Sequence, residues 1–215
     1  MAIIPQIASA AEDRASGAQV IDGSLRFEGS KTTYLQRSQS GGNRRTFTWS
    51  GWIKPDGTYT GTNNNDWFTA SEGNTTGGID YGFGVRIYET SHNSHSNQLM
   101  IYEFENGAFK LRYISTQTFR DYSGFYHLVV AVDTTLATST DRIKAYVNGE
   151  RLTDWKSGFA DAPSQNLELT VNESGKNSQI GVAYDSGSGY VQQCDGYASN
   201  FYVIDGQQLD ASYFG

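Results

Sequence analysis

Aromatic and amide side chains are concentrated between residues 52 and 67. The rings could stack on the faces of sugars, and the amides could form hydrogen bonds with sugar hydroxyls. Burial in a core is the alternative for the rings, because aromatic side chains usually pack against other apolar groups. The candidate carbohydrate contacts are Trp52, Tyr59, Asn63, Asn64, Asn65 and Trp67.

Two carboxylates at strand spacing could perform a different chemistry. Glu103 and Glu105, in the run YEFENG, would project from the same face of a strand. Hydrolysis of a glycosidic bond needs two carboxyl groups roughly 5–10 Å apart beside the sugar. The run instead enters a tight turn at Asn106-Gly107, which favours the solvated face of a hairpin. We therefore expect no enzymatic activity.

Potential metal ligands are scattered along the chain. His92 and His95 have the spacing of two zinc ligands, but a structural zinc site needs four, and no further His or Cys cluster accompanies them. Aspartate oxygens suit calcium, yet none of the candidates lies in a ligand-dense loop, and turn formation explains them more economically. We expect no cofactor and leave calcium open without assigning its ligands. The candidate aspartates are Asp66, Asp80, Asp185 and Asp195.

Charge and cysteine content exclude several classes of protein. With 16 Lys and Arg against 23 Asp and Glu, the net charge is −7, and no basic run could neutralise phosphates, so nucleic acid is not an expected partner. Cys194 cannot form an intrachain disulfide, and we expect a buried thiol in a protein that folds in a reducing cytoplasm.

The first residues lack a basic segment followed by an uninterrupted apolar run, and no stretch reaches transmembrane length. We therefore expect neither general secretion nor membrane insertion.

The elements that would position these residues are β-strands. Aromatics make up 13% of the chain and 24 residues are glycine, a mixture typical of strands joined by polar turns. In TFTWSGWIK, alternation places Phe47, Trp49 and Ile53 on one face, which we expect to be core, and Trp52 on the other.

Turns and further strands complete this pattern. Asn106-Gly107 and Asn148-Gly149 predict two tight hairpins. Residues 156–178 read as irregular, with one strand at NLELTV. About a dozen strands are predicted in all, which indicates an all-β, two-sheet sandwich.

The first 23 residues differ from the rest of the chain. They contain no aromatic residue, and their apolar side chains are too few to form a core, so this N-terminal arm would dock either on its own domain or on a neighbour. We predict an anchoring arm at 1–23 and one domain at 24–215. The predicted anchor residues are Ile3, Ile4, Pro5, Ile7, Val20 and Ile21.

Strand motifs follow one another in a definite order over residues 24–215. They are SLRFEGSKTTYL, FTWSGWIKP, DWFTAS, FYHLVVAVDTT, RIKAYVNGERL, SQIGVAY and CDGYASNFYVIDGQQLDASYFG. In this order they resemble the laminin-G-like, concanavalin A-like jelly-roll superfamily, and Gly196, Ala198, Phe201 and Val203 match the pattern of its penultimate strands. The resemblance implies an antiparallel two-sheet jelly roll, a fold that in some members binds calcium at its rim and in others hydrolyses glycosides.

The runs TWSGWIKP and FYVIDGQQLDASYFG are similar to those of jelly-roll domains in virion proteins of tailed, notably marine, bacteriophages. This resemblance implies a non-enzymatic structural or accessory protein that decorates the capsid or belongs to the tail or a fibre. It would assemble in the host bacterial cytoplasm, reside in the virion, contact other virion proteins and form a homo-oligomer. A glycan-binding adhesin module for attachment to the host surface is the alternative. Longer relatives continue beyond the final Phe-Gly, which is compatible with this chain being a piece of a longer protein.

Overall fold

The computed structural model describes residues 21–57, 65–71, 81–88, 94–185 and 189–214. Of the predicted anchor residues, only Ile21 lies within these ranges. Ile3, Ile4, Pro5, Ile7 and Val20 lie outside them, so the division into an arm and a domain stays a prediction.

The regular secondary structure of the described residues consists almost entirely of antiparallel strands. These residues contain no α-helix, only three short 3₁₀ turns, and so no helix among them could cross a membrane. The strands are β1 (Leu25–Phe27), β2 (Leu35–Ser38), β3 (Thr46–Pro55), β4 (Asn65–Ser71), β5 (Tyr81–Ile87), β6 (Gln98–Glu105), β7 (Ala108–Thr118), β8 (Tyr126–Asp133), β9 (Ile143–Val147), β10 (Glu150–Leu152), β11 (Trp155–Asp161), β12 (Asn177–Ile180), β13 (Ala183–Asp185), β14 (Gly189–Val191) and β15 (Gly196–Asp205).

Two large sheets pack face to face. Sheet A has six strands in the order β1-β15-β3-β8-β9-β10, and sheet B has seven in the order β11-β7-β6-β5-β4-β12-β2. Strands β13 and β14 form a separate hairpin beside the outer face of sheet B, where Thr69 Oγ1 donates to the Val182 carbonyl at 2.9 Å. The predicted all-β sandwich is confirmed.

The core lies between the sheets and follows the alternation of β3. Phe47, Trp49 and Ile53 are fully buried, as predicted, because every second side chain of the strand faces the opposite sheet. The Trp49 ring lies 5.7 Å from that of Phe68 in β4, and this contact joins the two sheets through aromatic packing. Within sheet A it also lies 5.6 Å from the ring of Phe201 in β15.

Both predicted hairpin turns are confirmed. Asn106 and Gly107 connect β6 to β7 with φ values of 53° and 75°, and Asn148 and Gly149 connect β9 to β10 with 51° and 86°. These positive angles are those that a type I′ turn requires and that Asn and Gly tolerate.

The prediction for residues 156–178 is wrong in two places. NLELTV (166–171) forms no strand but a loop whose Leu169 and Val171 are completely buried in the core. Strand β11 occupies Trp155–Asp161 instead, pairing with β7 through a bulge between Trp155 and Ala160. Because the register is irregular, inward and outward side chains do not alternate regularly along β11, and the sequence pattern did not reveal this strand.

Candidate functional site

The structure divides the predicted carbohydrate contacts. Trp67 has no exposed surface, so its ring cannot stack on a sugar, and this part of the prediction is wrong. The register of β4 against β5 shifts between Asp66 and Phe68, and this bulge places Trp67 within the core cluster. Asn65 is also buried, whereas Trp52 is half-buried on the outer face of sheet A. Tyr59, Asn63 and Asn64 lie outside the described residues.

Trp52 belongs to an aromatic group on that outer face. Its ring stacks on the imidazole of His127, with centroids 4.7 Å apart and an interplanar angle of 11°. Tyr202 is exposed nearby in the same sheet and lies 6.2 Å from Phe214, whose ring is 6.4 Å from that of His127. Sequence reasoning missed Tyr202 and Phe214, because the outward position of Tyr202 follows a register shift in β15 and the contact of Phe214 with His127 depends on the path of the C-terminal segment.

A serine–histidine pair lies beneath this aromatic group. Ser50 Oγ and His127 Nε2 are 2.9 Å apart, but both residues are buried, and burial lowers the pKa of His127. The C-terminal segment covers the adjoining part of the sheet, where the backbone N–H of Leu209 donates to Thr48 Oγ1. A nucleophile must reach its substrate, so we assign this pair a structural role.

The prediction that Glu103 lies on the solvated face of a hairpin is wrong. Its side chain is only 3% exposed and points toward the loop at Thr170, whose backbone N–H and hydroxyl donate to Oε1 at 3.1 and 2.5 Å. Burial raises the pKa of Glu103 to about 8, although the Thr170 hydrogen bonds act in the opposite direction. Glu105 is half-exposed, 3.9 Å from Lys110.

Asp66, a candidate calcium ligand, is engaged by a guanidinium group. Arg86 donates from Nε to Oδ1 at 2.8 Å and from Nη2 to Oδ2 at 2.9 Å, and it also contacts Gln192 Oε1. Its guanidinium carbon lies 4.8 Å from the ring centroid of Tyr102. Burial acts to lower the pKa of Arg86, but the charge and hydrogen bonds of Asp66, together with the neighbouring Tyr102 and Tyr88, hold this pKa above its usual value. An arginine-paired carboxylate is a poor calcium ligand.

The other predicted ligands do not assemble a site in the part of the chain that is described. Asp195 is half-buried and burial raises its pKa, while Asp80 and the side chain of Asp185 lie outside the described residues. His95 packs against the ring of Phe159, and His92 is not described. No group of three or more described His, Cys, Asp and Glu residues could hold a metal ion. Cys194 is completely buried, as predicted.

The described strands leave one side of the sandwich open. Strand β1 pairs only with Gly196–Ala198, so no described strand extends β15 along Ser199–Asp205 on the side away from β3. Across the gap, β2 is the edge strand of sheet B. We call the space between these two edges the open groove.

The open groove is mainly apolar. It comprises two adjoining hollows of about 580 and 220 Å³, which share Leu35, Ile180 and Phe201 as lining residues. Leu25 and Leu35, at its mouth, are 54% and 47% exposed, and the side of the Trp49 ring contributes to its floor. Exposed apolar side chains beside unpaired strand edges are typical of protein interfaces.

Comparison with known proteins identifies the fold. A pentraxin from Limulus polyphemus superposes with a TM-score of 0.54 at 16% identity, over 83% of this chain and 73% of the pentraxin. The CBM40 of the Ruminococcus gnavus IT-sialidase superposes with a TM-score of 0.54 at 14% identity, over 84% of this chain and 96% of the CBM40. The chain is a concanavalin A-like jelly roll.

The jelly roll also matches tailspike protein 2 from a bacteriophage of Escherichia coli O157:H7, with a TM-score of 0.52 at 12% identity, over 86% of this chain and 23% of the tailspike. At such identities these likenesses concern the jelly-roll fold alone. No protein-family model and no curated protein matches the sequence.

Proposed function

We propose that this jelly roll is a non-enzymatic structural or accessory protein of a tailed bacteriophage, displayed on the virion and held there by protein contacts. The open groove is the observation that carries the proposal. Leu25 and Leu35 expose apolar surface beside two strand edges that no described strand pairs with, and a neighbouring protein could cover both features at once. The sequence resemblance to virion jelly rolls supplies the context.

The placement of potential catalytic groups supports a role without catalysis. Glu103 and Asp66 are buried and engaged by Thr170 and Arg86, respectively, and Ser50 has no exposed surface. A glycoside hydrolase would instead present its two carboxyl groups to the sugar.

Purified particles of the phage that encodes the chain test this proposal. We expect the protein in the particles by mass spectrometry, and cryo-electron microscopy should show a sandwich on the particle surface. Replacing both Leu25 and Leu35 by Asp should reduce its incorporation at least tenfold, because burial of charge in an apolar contact is costly. Phe109→Asp, at a position on sheet B that is 41% exposed, is the control. Absence of the wild-type protein from particles would refute the proposal.

Glycan binding is the second candidate, and the aromatic group at Trp52 favours it. An indole backed by an imidazole beside an exposed tyrosine offers a stacking surface for a sugar. We expect Trp52→Ala to weaken binding to any sugar found on a glycan array at least tenfold, about 1.4 kcal/mol. Phe109→Ala should leave binding unchanged. Failure of the wild-type protein to bind any sugar in the millimolar range would eliminate this candidate.

A further inference from the structure

The ends and walls of the open groove define what it can accept. One wall is the edge of β15 along which no described strand pairs, and the other is β2. The apolar lining includes Leu35, Ile180, Phe201 and Val203. Arg37 is the charged side chain among its lining residues. The groove therefore suits a short, extended, apolar peptide that carries no positive charge.

The chain itself contains such a peptide. Residues 3–7 read Ile-Ile-Pro-Gln-Ile, with three β-branched apolar side chains and no charge. β-branched residues favour an extended conformation, and proline is tolerated on an edge strand whose N–H is not required. These residues are also part of the predicted anchor.

The start of β1 shows where the arm leaves the domain. Ser199 pairs with Trp52 across β15 and β3, so its side chain lies on the outer face of sheet A, opposite to Ala198 in the core. Ser199 Oγ donates to the Gly23 carbonyl at 2.6 Å. Gly23 and Ser24 also line the open groove, so the arm leaves the domain at the mouth of the groove. Two copies packed against each other through this face would each present an arm to the groove of the other.

From these observations we infer that the open groove binds residues 3–7 of a second copy of this chain. The 13 residues at 8–20 can span up to about 45 Å when extended, enough to reach a neighbouring molecule. Exchange of one element between identical chains is a common route to symmetric oligomers. This inference rests on the proposed function in treating the open groove as an assembly surface.

Cysteine cross-linking of the full chain tests the inference. The native Cys194 is fully buried, so introduced thiols should react without interference. Ile4→Cys protein and Leu35→Cys protein, mixed with oxidised glutathione, should give a covalent dimer in which mass spectrometry finds the 4–35 disulfide. Pairing Ile4→Cys with Phe109→Cys is the matched control, and we expect at least tenfold less product.

The alternatives produce different results. A third protein carries both Ile4→Cys and Leu35→Cys in one chain. If the 4–35 disulfide forms within this chain but not between the singly substituted chains, the arm lies in its own groove and the inference is overturned. Equal yields with Leu35→Cys and Phe109→Cys would also overturn it. If cross-linking fails while the protein remains in phage particles, the groove inference falls and the proposed function stands. If the 4–35 disulfide forms between chains but the protein is absent from phage particles, the groove inference stands and the proposed function falls.

Discussion

Replacing Asp66 by asparagine should lower the free energy of unfolding by about 3–5 kcal/mol, the usual cost of removing one partner of a buried ion pair. Asp66 is fully buried, and Arg86 would keep its charge without an anion in reach of its Nε. The Tyr102 hydroxyl and Gln192 Oε1 accept hydrogen bonds from Arg86 Nη2 but carry no compensating charge. Chemical denaturation at neutral pH, followed by tryptophan fluorescence, measures the effect.

The same substitution at the surface is the control. Asp161 Oδ2 accepts a hydrogen bond from Arg112 Nε at 3.1 Å, but half of its side chain is exposed, so Asp161→Asn should cost less than about 1 kcal/mol. A double replacement, Asp66→Leu with Arg86→Met, should recover much of the stability lost in Asp66→Asn, because no charge is then left unpaired. Equal losses in Asp66→Asn and Asp161→Asn would contradict the assigned role of the buried pair.

Replacing Glu103 by glutamine should remove a pH dependence of stability that the wild-type protein shows between about pH 4.5 and 8. Burial raises the pKa of Glu103 from 4.5 to about 8 in the folded protein. Between these values the folded state retains a proton that the unfolded state has lost. The wild-type free energy of unfolding should therefore fall by up to about 1.4 kcal/mol per pH unit as the pH rises.

The sign of this effect distinguishes Glu103 from an ordinary surface carboxylate. Its stabilising contribution is complete below pH 4.5 and is lost as the pH approaches 8, so Glu103→Gln should match or exceed the wild-type stability at pH 8. Glu105→Gln, two residues along the same strand and half-exposed, should retain the wild-type slope. Parallel curves for wild type and Glu103→Gln would show that the carboxyl group is not held protonated.

Local sequence features correctly predicted one face of β3 and two turns. The alternation of Phe47, Trp49 and Ile53 identified the inward face of β3, and the two Asn-Gly pairs identified their turns. These features depend on the pleat of a strand and on the φ angles that Asn and Gly tolerate, which neighbouring residues alone decide.

Errors occurred where the strand register shifts or where contacts join distant residues. Trp67 follows a bulge that alternation cannot reveal, and the burial of Glu103 depends on Thr170, which lies 67 residues further along the chain. Nothing within the run YEFENG distinguishes a buried carboxyl group from a solvated one.

The sequence by itself determined that the protein is an all-β sandwich, which face of β3 forms its core and where two hairpins turn. Only the tertiary structure decided that Asp66 pairs with Arg86, that Ser50 and His127 lie together beneath an aromatic group, and that the described strands leave one side of the sandwich open. The physical reason is the range of the interactions. Strand alternation and turn angles are local properties, whereas burial and pairing follow from how the two sheets and their loops meet.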